Sequence, residues 1–566
     1  MLSVFLAASG STDSPATAPP TTDIKLSQVG YRTKAHKIAF VAAKVRASTF
    51  TVARTSDGSR VLEGRLSEPV ADADSGDRVQ VADLSSLDRP GHYILDVPGV
   101  GRSFAFAIGD DVFARALYLS MRSFYGQRCG TAVDLGPEFP GYRHAACHRR
   151  GAWHASSGRF GPRESTKGWH DAGDYGRYVV NSGIATGTLL WAFEMFGDRL
   201  KGLQLEIPES GDPMPDVLDE VRWNLEWMLS MQDEDGGVYH KQTSERFPGF
   251  VMPQDDSTVS YVIGTGSPPF KGSCATADLA AVGAIAARVY RPYDAAFAEA
   301  TLAAARKAWA WATAHPTQVY LNPPGIGTGA YGDADCRDEL LWAAAELWRT
   351  SGDAAAGQHF LEHERDLRAR LTPNGPPWWA NVAPLAFWTY ALSDSGDPAT
   401  RQAVRDASLA AADAIVARSA ANGYRVSLLS SDYVWGSNGV AANYGLQLLV
   451  AHVMKPEPRY LEAARDNLYY LLGRNPFSLS WVTRVGPNPF RHPHHRPSGA
   501  DANEEPWPGL LSGGPNGRRQ DRAMEKLPDG LAPARMYLDE QDSYASNENA
   551  INWNAALVFL LAGASR

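Results

Sequence analysis

Near residue 110 the hydrophobic period of this 566-residue chain changes from two to about 3.6, which limits the architectures open to it. Before that point KIAFVAA (37–43), TFTVART (49–55), RVQVADL (78–84), HYILDV (92–97) and RSFAFAI (102–108) are short β-branched or alternating runs. Gly, Asp and Pro turns separate them, the pattern of a small β-sandwich over 24–109. After it, apolar stripes of helical period run through 112–125, 178–197, 216–232, 275–291, 295–314, 338–351, 354–370, 380–393, 398–420, 438–453, 457–473 and 548–564. Twelve helices joined by long loops rich in Gly, Pro and Trp suit a closed toroid of paired helices over 110–566. An open superhelical array would show a repeat of fixed length, and the chain has none.

An apolar content of 44% and a charged content of 21% are those of an ordinary soluble protein, and the net charge of −9 argues against a nucleic-acid partner. The supply of 16 Trp and 22 Tyr suits stacking on the flat faces of sugar rings as well as core packing. MLSVFLAAS resembles the apolar part of a secretion signal, although no Lys or Arg precedes it. Leu6-Ala7-Ala8-Ser9 resembles a lipoprotein cleavage box with Ser9 where the lipidated Cys would stand. Gly10 to Asp23 is a Ser/Thr/Pro-rich tether, so residues 1–23 read as signal remnant and flexible linker. No stretch approaches the length of a membrane span, and the expected location is secreted or cell-envelope.

The chemistry concentrates first in Gly168–Val180, GWHDAGDYGRYVV. Asp171 and Asp174 sit three residues apart among glycines at 168, 173 and 176, which suit a backbone that bends sharply or is closely approached. Two carboxylates aimed into one space fit a reaction that activates a water: one takes the proton while the other orients the oxygen. The competing reading is an Asx-rich turn capping the helix that begins near Tyr178. Cys129, Cys147, His148 and His170 form C-x17-C-H-x21-H, which fits a closed tetrahedral zinc set; a disulfide or two unrelated thiols are the alternatives. Cys274 and Cys336 are either buried apolar residues or a disulfide.

Oxygens of Glu209, Asp212, Asp216 and Asp219, with a backbone carbonyl such as that of Met214, suit calcium, with helix capping by Asp216 as the alternative. The denser cluster Asp333, Asp335, Asp338 and Glu339 admits a second calcium on the same terms. Ser480–Arg496 places His492, His494, His495 and Arg496 in a Pro-bound loop whose donors suit sugar hydroxyls, a second metal site or plain surface. Tyr537–Ala555 puts Asp539 and Glu548 ahead of the last apolar helix, where partial desolvation would raise a carboxyl pKa toward that of a general acid. A solvated first-turn glutamate is the alternative there.

Together these segments resemble glycoside hydrolase family nine, the inverting cellulases, in the form that carries an N-terminal immunoglobulin-like domain. Gly168–Gly176 matches the family's base segment; Ser480, Val482, Thr483, Gly486, Asn488, Pro493, His494 and Arg496 match its histidine signature. Tyr537, Asp539, Tyr544, Glu548, Ala550, Asn554 and Ala555 match its acidic signature. QVGY (28–31), DEVRWNLEWML (219–229), VWGSN (434–438) and LGRNP (472–476) are also family-like, and the similarity runs from Ile24 to the end. The resemblance implies an Ig-like β-sandwich followed by an all-α (α/α)6 barrel. It implies Asp174 as general base, Asp171 as its partner in holding the attacking water, and Glu548 as general acid. Substrate contacts fall to His494, Arg496, Asp539, Tyr544 and Trp435, and inversion sets base and acid about 6.5–9.5 Å apart. It further implies structural zinc on Cys129, Cys147, His148 and His170, calcium on Glu209, Asp212, Met214, Asp216 and Asp219, and a looser calcium match on the second cluster. No organic cofactor is expected.

The expected activity is hydrolysis of β-1,4-glucans by a monomer, in endo mode. The rivals are an exo-acting member (glucosidase, cellobiohydrolase or glucosaminidase) and an inactive carbohydrate-binding protein, against which the three carboxylates count. The β-domain lacks an evident row of exposed Trp or Tyr and reads as a packing partner of the barrel.

Overall fold

The computed structural model describes residues 19–566; the signal-like stretch and most of the tether lie outside the described residues. Nine strands come first: β1 (Ile24–Lys25), β2 (Ile38–Val41), β3 (Thr49–Arg54), β4 (Arg60–Arg65), β5 (Val70–Ala71), β6 (Arg78–Asp83), β7 (Gly91–Val97), β8 (Gly101–Arg102) and β9 (Phe106–Ile108). They form two antiparallel sheets, ordered β1-β2-β6-β5 and β4-β3-β7-β8, with β9 also on β7. Val52, Leu95, Tyr93 and Phe106 are buried between them, as alternation predicts. The sequence reading passed over β4 because RVLEGR lies on an edge with no residue fully buried, so it carries no apolar alternation.

Each of the twelve helical stretches holds a helix: α1 (Ala114–Gly126), α2 (Val179–Leu200), α3 (Asp216–Ser230), α4 (Ser273–Tyr290), α5 (Ala295–Ala314), α6 (Arg337–Ser351), α7 (Ala354–Leu367), α8 (Ala383–Ala391), α9 (Pro398–Ala421), α10 (Ser437–Met454), α11 (Pro458–Leu471) and the last, α14 (Ile551–Ala564). Two single-turn pieces, α12 (Arg496–Ala500) and α13 (Tyr544–Asn547), fall in the C-terminal loops.

Helices alternate between an outer and an inner ring. Inner α2, α4, α6, α8, α10 and α14 are buried on nearly every side, which their sequences allow because small residues such as those of CATADLAAVGAIAA let backbones approach. Outer helices keep one apolar stripe; in α9 only Val404, Ser408, Ala411, Ala412, Ile415 and Ser419 are buried. The inner ring runs α2, α4, α6, α8, then α10 and α14, and closes with α14 against α2. Asp294, Asp353 and Asp397 cap α5, α7 and α9 through backbone N–H groups.

Short strands in the loops build the rim. β10 (Val133–Asp134) pairs with β11 (Arg143–His144), while β12 (Arg150–Trp153), β13 (Pro162–Glu164), β14 (Arg177–Tyr178), β15 (Lys241–Thr243) and β16 (Ser260–Ile263) form one sheet ordered β13-β12-β16-β15-β14. Cys274 and Cys336 form a disulfide joining the start of α4 to the residue before α6, while Cys129 and Cys147 are free and buried. Among the described residues no helix is long and apolar enough to cross a membrane.

The sandwich docks on the barrel through polar contacts. Arg535 pairs with Asp77 at 2.6 Å, and the Tyr424 hydroxyl donates to the same carboxylate at 2.5 Å. Lys25 Nζ donates to the Pro476 carbonyl at 2.7 Å. Gln28 Nε2 donates to the Ser478 carbonyl at 2.7 Å, and its Oε1 accepts the Asn488 N–H at 2.9 Å.

Candidate active site

The Gly168–Gly176 turn enters the top of the ring and is tied down on three sides. Trp169 donates its indole N–H to Glu220 Oε1 at 2.8 Å and its backbone N–H to Asn224 Oδ1 at 3.0 Å, both on α3. The Asp171 carbonyl accepts the first N–H of α14, from Ile551, at 2.9 Å, and the Asp171 N–H closes the turn on the Gly176 carbonyl at 2.9 Å. At Gly173 a Cβ would lie 1.8 Å from the His494 carbonyl oxygen, so only glycine lets the two loops meet. Tyr178 precedes α2 without a side-chain cap, so these aspartates do not serve as a helix cap there.

Asp171 is buried, and its two oxygens accept from Asn181 Nδ2 at 2.7 Å and the Tyr331 hydroxyl at 2.5 Å. Burial and the neighbouring Asp174 charge push its pKa up to about 7, against the pull of those two donors. Asp174, 6% exposed, accepts at Oδ2 from the Gly176 N–H at 2.9 Å and the Tyr178 hydroxyl at 3.3 Å. Its Oδ1 is left for a ligand.

Glu548 lies opposite, between α13 and α14. His494 and Glu548 form a parallel backbone bridge, with the His494 N–H on the Asn547 carbonyl at 3.0 Å. The Gly173 N–H donates to Glu548 Oε1 at 3.3 Å, so the aspartate turn, the histidine loop and the glutamate share one backbone junction. Burial, then the charges of Asp174 and Asp171, hold the Glu548 carboxyl well above the usual range, only partly offset by Arg496.

Arg496 donates through Nη1 to the Gly173 carbonyl at 2.8 Å and through Nε to the Pro248 carbonyl at 3.0 Å. His494 turns Nδ1 to the Gln541 carbonyl at 2.7 Å, and burial lowers its pKa, keeping the imidazole neutral. His495 is internal: its Nε2 lies 3.0 Å from Gln127 Oε1, and Gln127 donates to the carbonyls of His170 and Ala172. Asp539 spends both oxygens on the Arg491 and His492 N–H groups at 2.8 Å, so it shapes the histidine loop. Trp435 and Tyr544, 39% and 36% exposed, stand with ring centroids 5.3 Å apart, and Tyr544 lies 5.7 Å from His494, a half-open apolar wall suited to a sugar face.

Sequence reasoning missed Tyr331, Asn181 and the loop 247–256. Tyr331 sits in GTGAYGD, a glycine-punctuated approach to the second acidic cluster that gave the only hint. Asn181 was hidden inside an apolar helical run.

Two regions bear on metals. Cys129, Cys147, His148 and His170 bring their four ligand atoms within 4.8 Å of one another, and His148 Nδ1 is buried without a partner. Two thiols and two imidazoles at such spacing fit a soft tetrahedral ion. The Glu209–Asp219 carboxylates do not gather so tightly. Arg128 holds Glu209 at 2.9 Å, Asp216 accepts the Leu205 N–H at 2.6 Å, and Asp212 accepts the Met214 N–H at 2.7 Å. Asp219 Oδ2, however, is buried without a partner, and burial with repulsion from Asp212, Glu209 and Asp216 pushes its pKa up to about 7. In the second cluster Arg370 reaches Asp335 at 2.5 Å and Asp338 at 2.6 Å, whereas Asp333 Oδ2 and both Glu339 oxygens are buried and unpartnered beside Asp278.

Known proteins resemble this chain over most of its length. Residues 19–102 match the cellulase N-terminal ig-like domain, and residues 113–561 match glycosyl hydrolase family 9. Endoglucanase D of Acetivibrio thermocellus is 39% identical over 545 residues, which cover 95% of this chain and 83% of that protein. The solved structure of a metagenome-derived glycoside hydrolase family 9 endoglucanase is 38% identical with a TM-score of 0.88, over 96% of this chain and 98% of that one. A Zn-binding triple mutant of GH family 9 endoglucanase J30 is 35% identical with a TM-score of 0.88, over 94% of this chain and 99% of that one. With a helical ring, an Ig-like domain docked on it and three carboxylates gathered at one junction, this chain belongs to glycosyl hydrolase family 9.

Proposed function

We propose that the chain is an inverting endo-β-1,4-glucanase with Asp174 as general base and Glu548 as general acid. The observation that carries this reading is the contrast at the junction: a half-buried Glu548, bonded to the Gly173 N–H of the aspartate turn and held well above the usual carboxyl range, shares the junction with an aspartate pair that has a free oxygen on Asp174. Asp174 takes a proton from water, whose oxygen attacks the anomeric carbon. Glu548 gives its proton to the departing 4-oxygen as the glycosidic bond breaks, so one product carries an inverted α-hemiacetal and the other a free chain end. Asp171, fixed by Tyr331 and Asn181, orients the water from the second side. Arg496, His494, Trp435 and Tyr544 hold the sugar at the cleavage point. Relatives named Endoglucanase D and xyloglucan-specific endo-beta-1,4-glucanase support a β-1,4-glucan substrate cut in endo mode.

In the same reading Cys129, Cys147, His148 and His170 hold a structural zinc that fixes the catalytic turn through His170, next to Asp171. Glu209, Asp212, Asp216 and Asp219 with the Met214 carbonyl hold a calcium, whose charge relieves the repulsion around Asp219; Asp333 and Glu339 are the unpaired oxygens open to a second one. Neither ion takes part in bond cleavage.

Time-resolved product analysis tests the reading, on carboxymethyl-cellulose by viscosity and on labelled cello-oligosaccharides by the anomer released. A fast viscosity drop with α-anomeric products is expected. Release of single sugars or cellobiose from one end with viscosity nearly unchanged would move the chain to the exo-acting reading, and no release at all to a binding protein.

A further inference from the structure

Asp256 does not belong to the catalytic junction or to the Cys/His quartet, yet it bonds to His148 of the quartet and ends a segment that reaches Arg496 of the junction. Its Oδ2 lies 3.0 Å from His148 Nε2, and both side chains are almost fully enclosed, 4% exposed for His148 and 3% for Asp256. The same carboxylate accepts from the Thr258 N–H at 2.9 Å and the Thr258 hydroxyl at 3.0 Å, which fixes its own orientation. An imidazole that donates Nε2–H to a carboxylate presents a bare lone pair at Nδ1, and Nδ1 of His148 is the buried nitrogen without a partner.

Asp256 also ends the segment Phe247–Asp256, which packs against Arg496 and His494. Arg496 donates to the Pro248 carbonyl at 3.0 Å and lies 5.7 Å and 5.6 Å from the Phe247 and Phe250 rings. Phe250 packs edge-on against His494 at 5.1 Å. The Tyr175 hydroxyl donates to the Val251 carbonyl, and the Tyr175 ring lies 4.8 Å from both His148 and His170. Phe247 is 47% exposed beside Arg496, so the segment presents an apolar ring to solvent there while its far end rests on the quartet.

We propose that Asp256 is a positioning residue that couples the metal centre to the sugar-binding pair Arg496 and His494. It sets the His148 tautomer for zinc, and through the same contact zinc holds the 247–256 segment against Arg496 and His494. The proposal rests on the zinc reading of the quartet and adds to it a residue and a direction of action. Without the ion, His148 loses the partner on its Nδ1 side, the Asp256 contact loosens, and the segment comes away from that pair.

The test uses the full chain, zinc-loaded or stripped with a chelator. Zinc affinity is measured by competition with a chromophoric chelator for wild type, Asp256→Asn and Asp256→Ala, with Ser257→Ala as a neighbouring control. Hydrogen exchange across 247–258 and kcat and KM on cello-oligosaccharides are read on the same samples. Expected are a roughly 10–100-fold loss of zinc affinity in both Asp256 variants, faster exchange in 247–258 on stripping wild type, and a raised KM with kcat nearly unchanged. Excess zinc should restore the KM of Asp256→Asn, an effect a merely structural role would not give. A wild type that holds no zinc removes the metal reading and the coupling with it. A wild type that binds zinc, with Asp256→Asn and Asp256→Ala binding it equally tightly and exchange in 247–258 insensitive to the ion, overturns the coupling alone.

Discussion

The hydroxyl of Tyr331 donates to Asp171 Oδ2 at 2.5 Å across a sequence gap of 160 residues. The same bond helps hold down a pKa that burial and Asp174 raise. Tyr331→Phe is therefore expected to lower kcat about 10–100-fold, the worth of one hydrogen bond to a charged group, with KM little changed. Steady-state kinetics on cellotetraose or longer oligomers checks this, and an unchanged kcat would remove Tyr331 from the water-orienting arrangement.

Asp174→Asn removes the proposed base while leaving an oxygen for the Gly176 N–H. A drop in kcat of about 10²–10⁴ or more is expected, with the melting temperature and binding of cello-oligosaccharide by calorimetry close to wild type. A variant that keeps the wild-type rate would end the assignment.

Glu548→Gln is expected to lose a similar factor on natural glucans and much less on aryl glycosides, whose leaving group needs no proton. Because burial and the charges of Asp174 and Asp171 raise this carboxyl above its ordinary range, the alkaline limb of the wild-type profile should lie above the pH at which an ordinary glutamate ionises. That limb should vanish from the pH profile of the variant.

Asp171 also makes a stability prediction. Its folded-state pKa, about 7, is above the ordinary 3.8, so the unfolded chain releases this proton first as pH rises. The stabilising difference is intact below about pH 4 and is lost as pH climbs through 7. Asp171→Asn should then gain about 2–4 kcal/mol over wild type at pH 8 and almost nothing at pH 4, read from denaturant melts. Asn181 can turn its amide to accept from the new side chain, since its Oδ1 is buried without a partner.

Asp219 is raised to about 7 by burial and its acidic neighbours, with the same sign. In the absence of calcium the chain should lose stability as pH passes from 4 to 8, and added calcium should restore it. Thermal melts in chelator and in millimolar calcium check this; Asp219→Asn should show a far smaller calcium response.

Periodicity made the helical ring legible, because buried inner helices and single-striped outer ones both leave an apolar trace, as α4 and α9 show. The rim sheet left no such trace: β14 is two residues long and β13 three, too short to show a period. Asp171, Asp174 and Glu548 were readable because each lies in a motif of unusual residues. Tyr331 and Asp256 were not, since each reaches its partner only through the fold, 160 residues away for the tyrosine and 108 for the aspartate. The four carboxylates of the second acidic cluster read alike in sequence but differ in space, for Arg370 neutralises Asp335 and Asp338 and leaves Asp333 Oδ2 and both Glu339 oxygens without a partner.

The amide of Gln28 sits in the seam between the two domains, and Gly473 and Gly486 lie so near that a Cβ on either would come within 3 Å of its side chain. The loop it braces leads through Asn488 to His494 and Arg496. For inheritance this makes the small sandwich a poor cassette. A recombination event near residue 110 that brought in a foreign partner would also have to bring a glutamine at this one position, or the new enzyme would inherit the His494 loop without its prop.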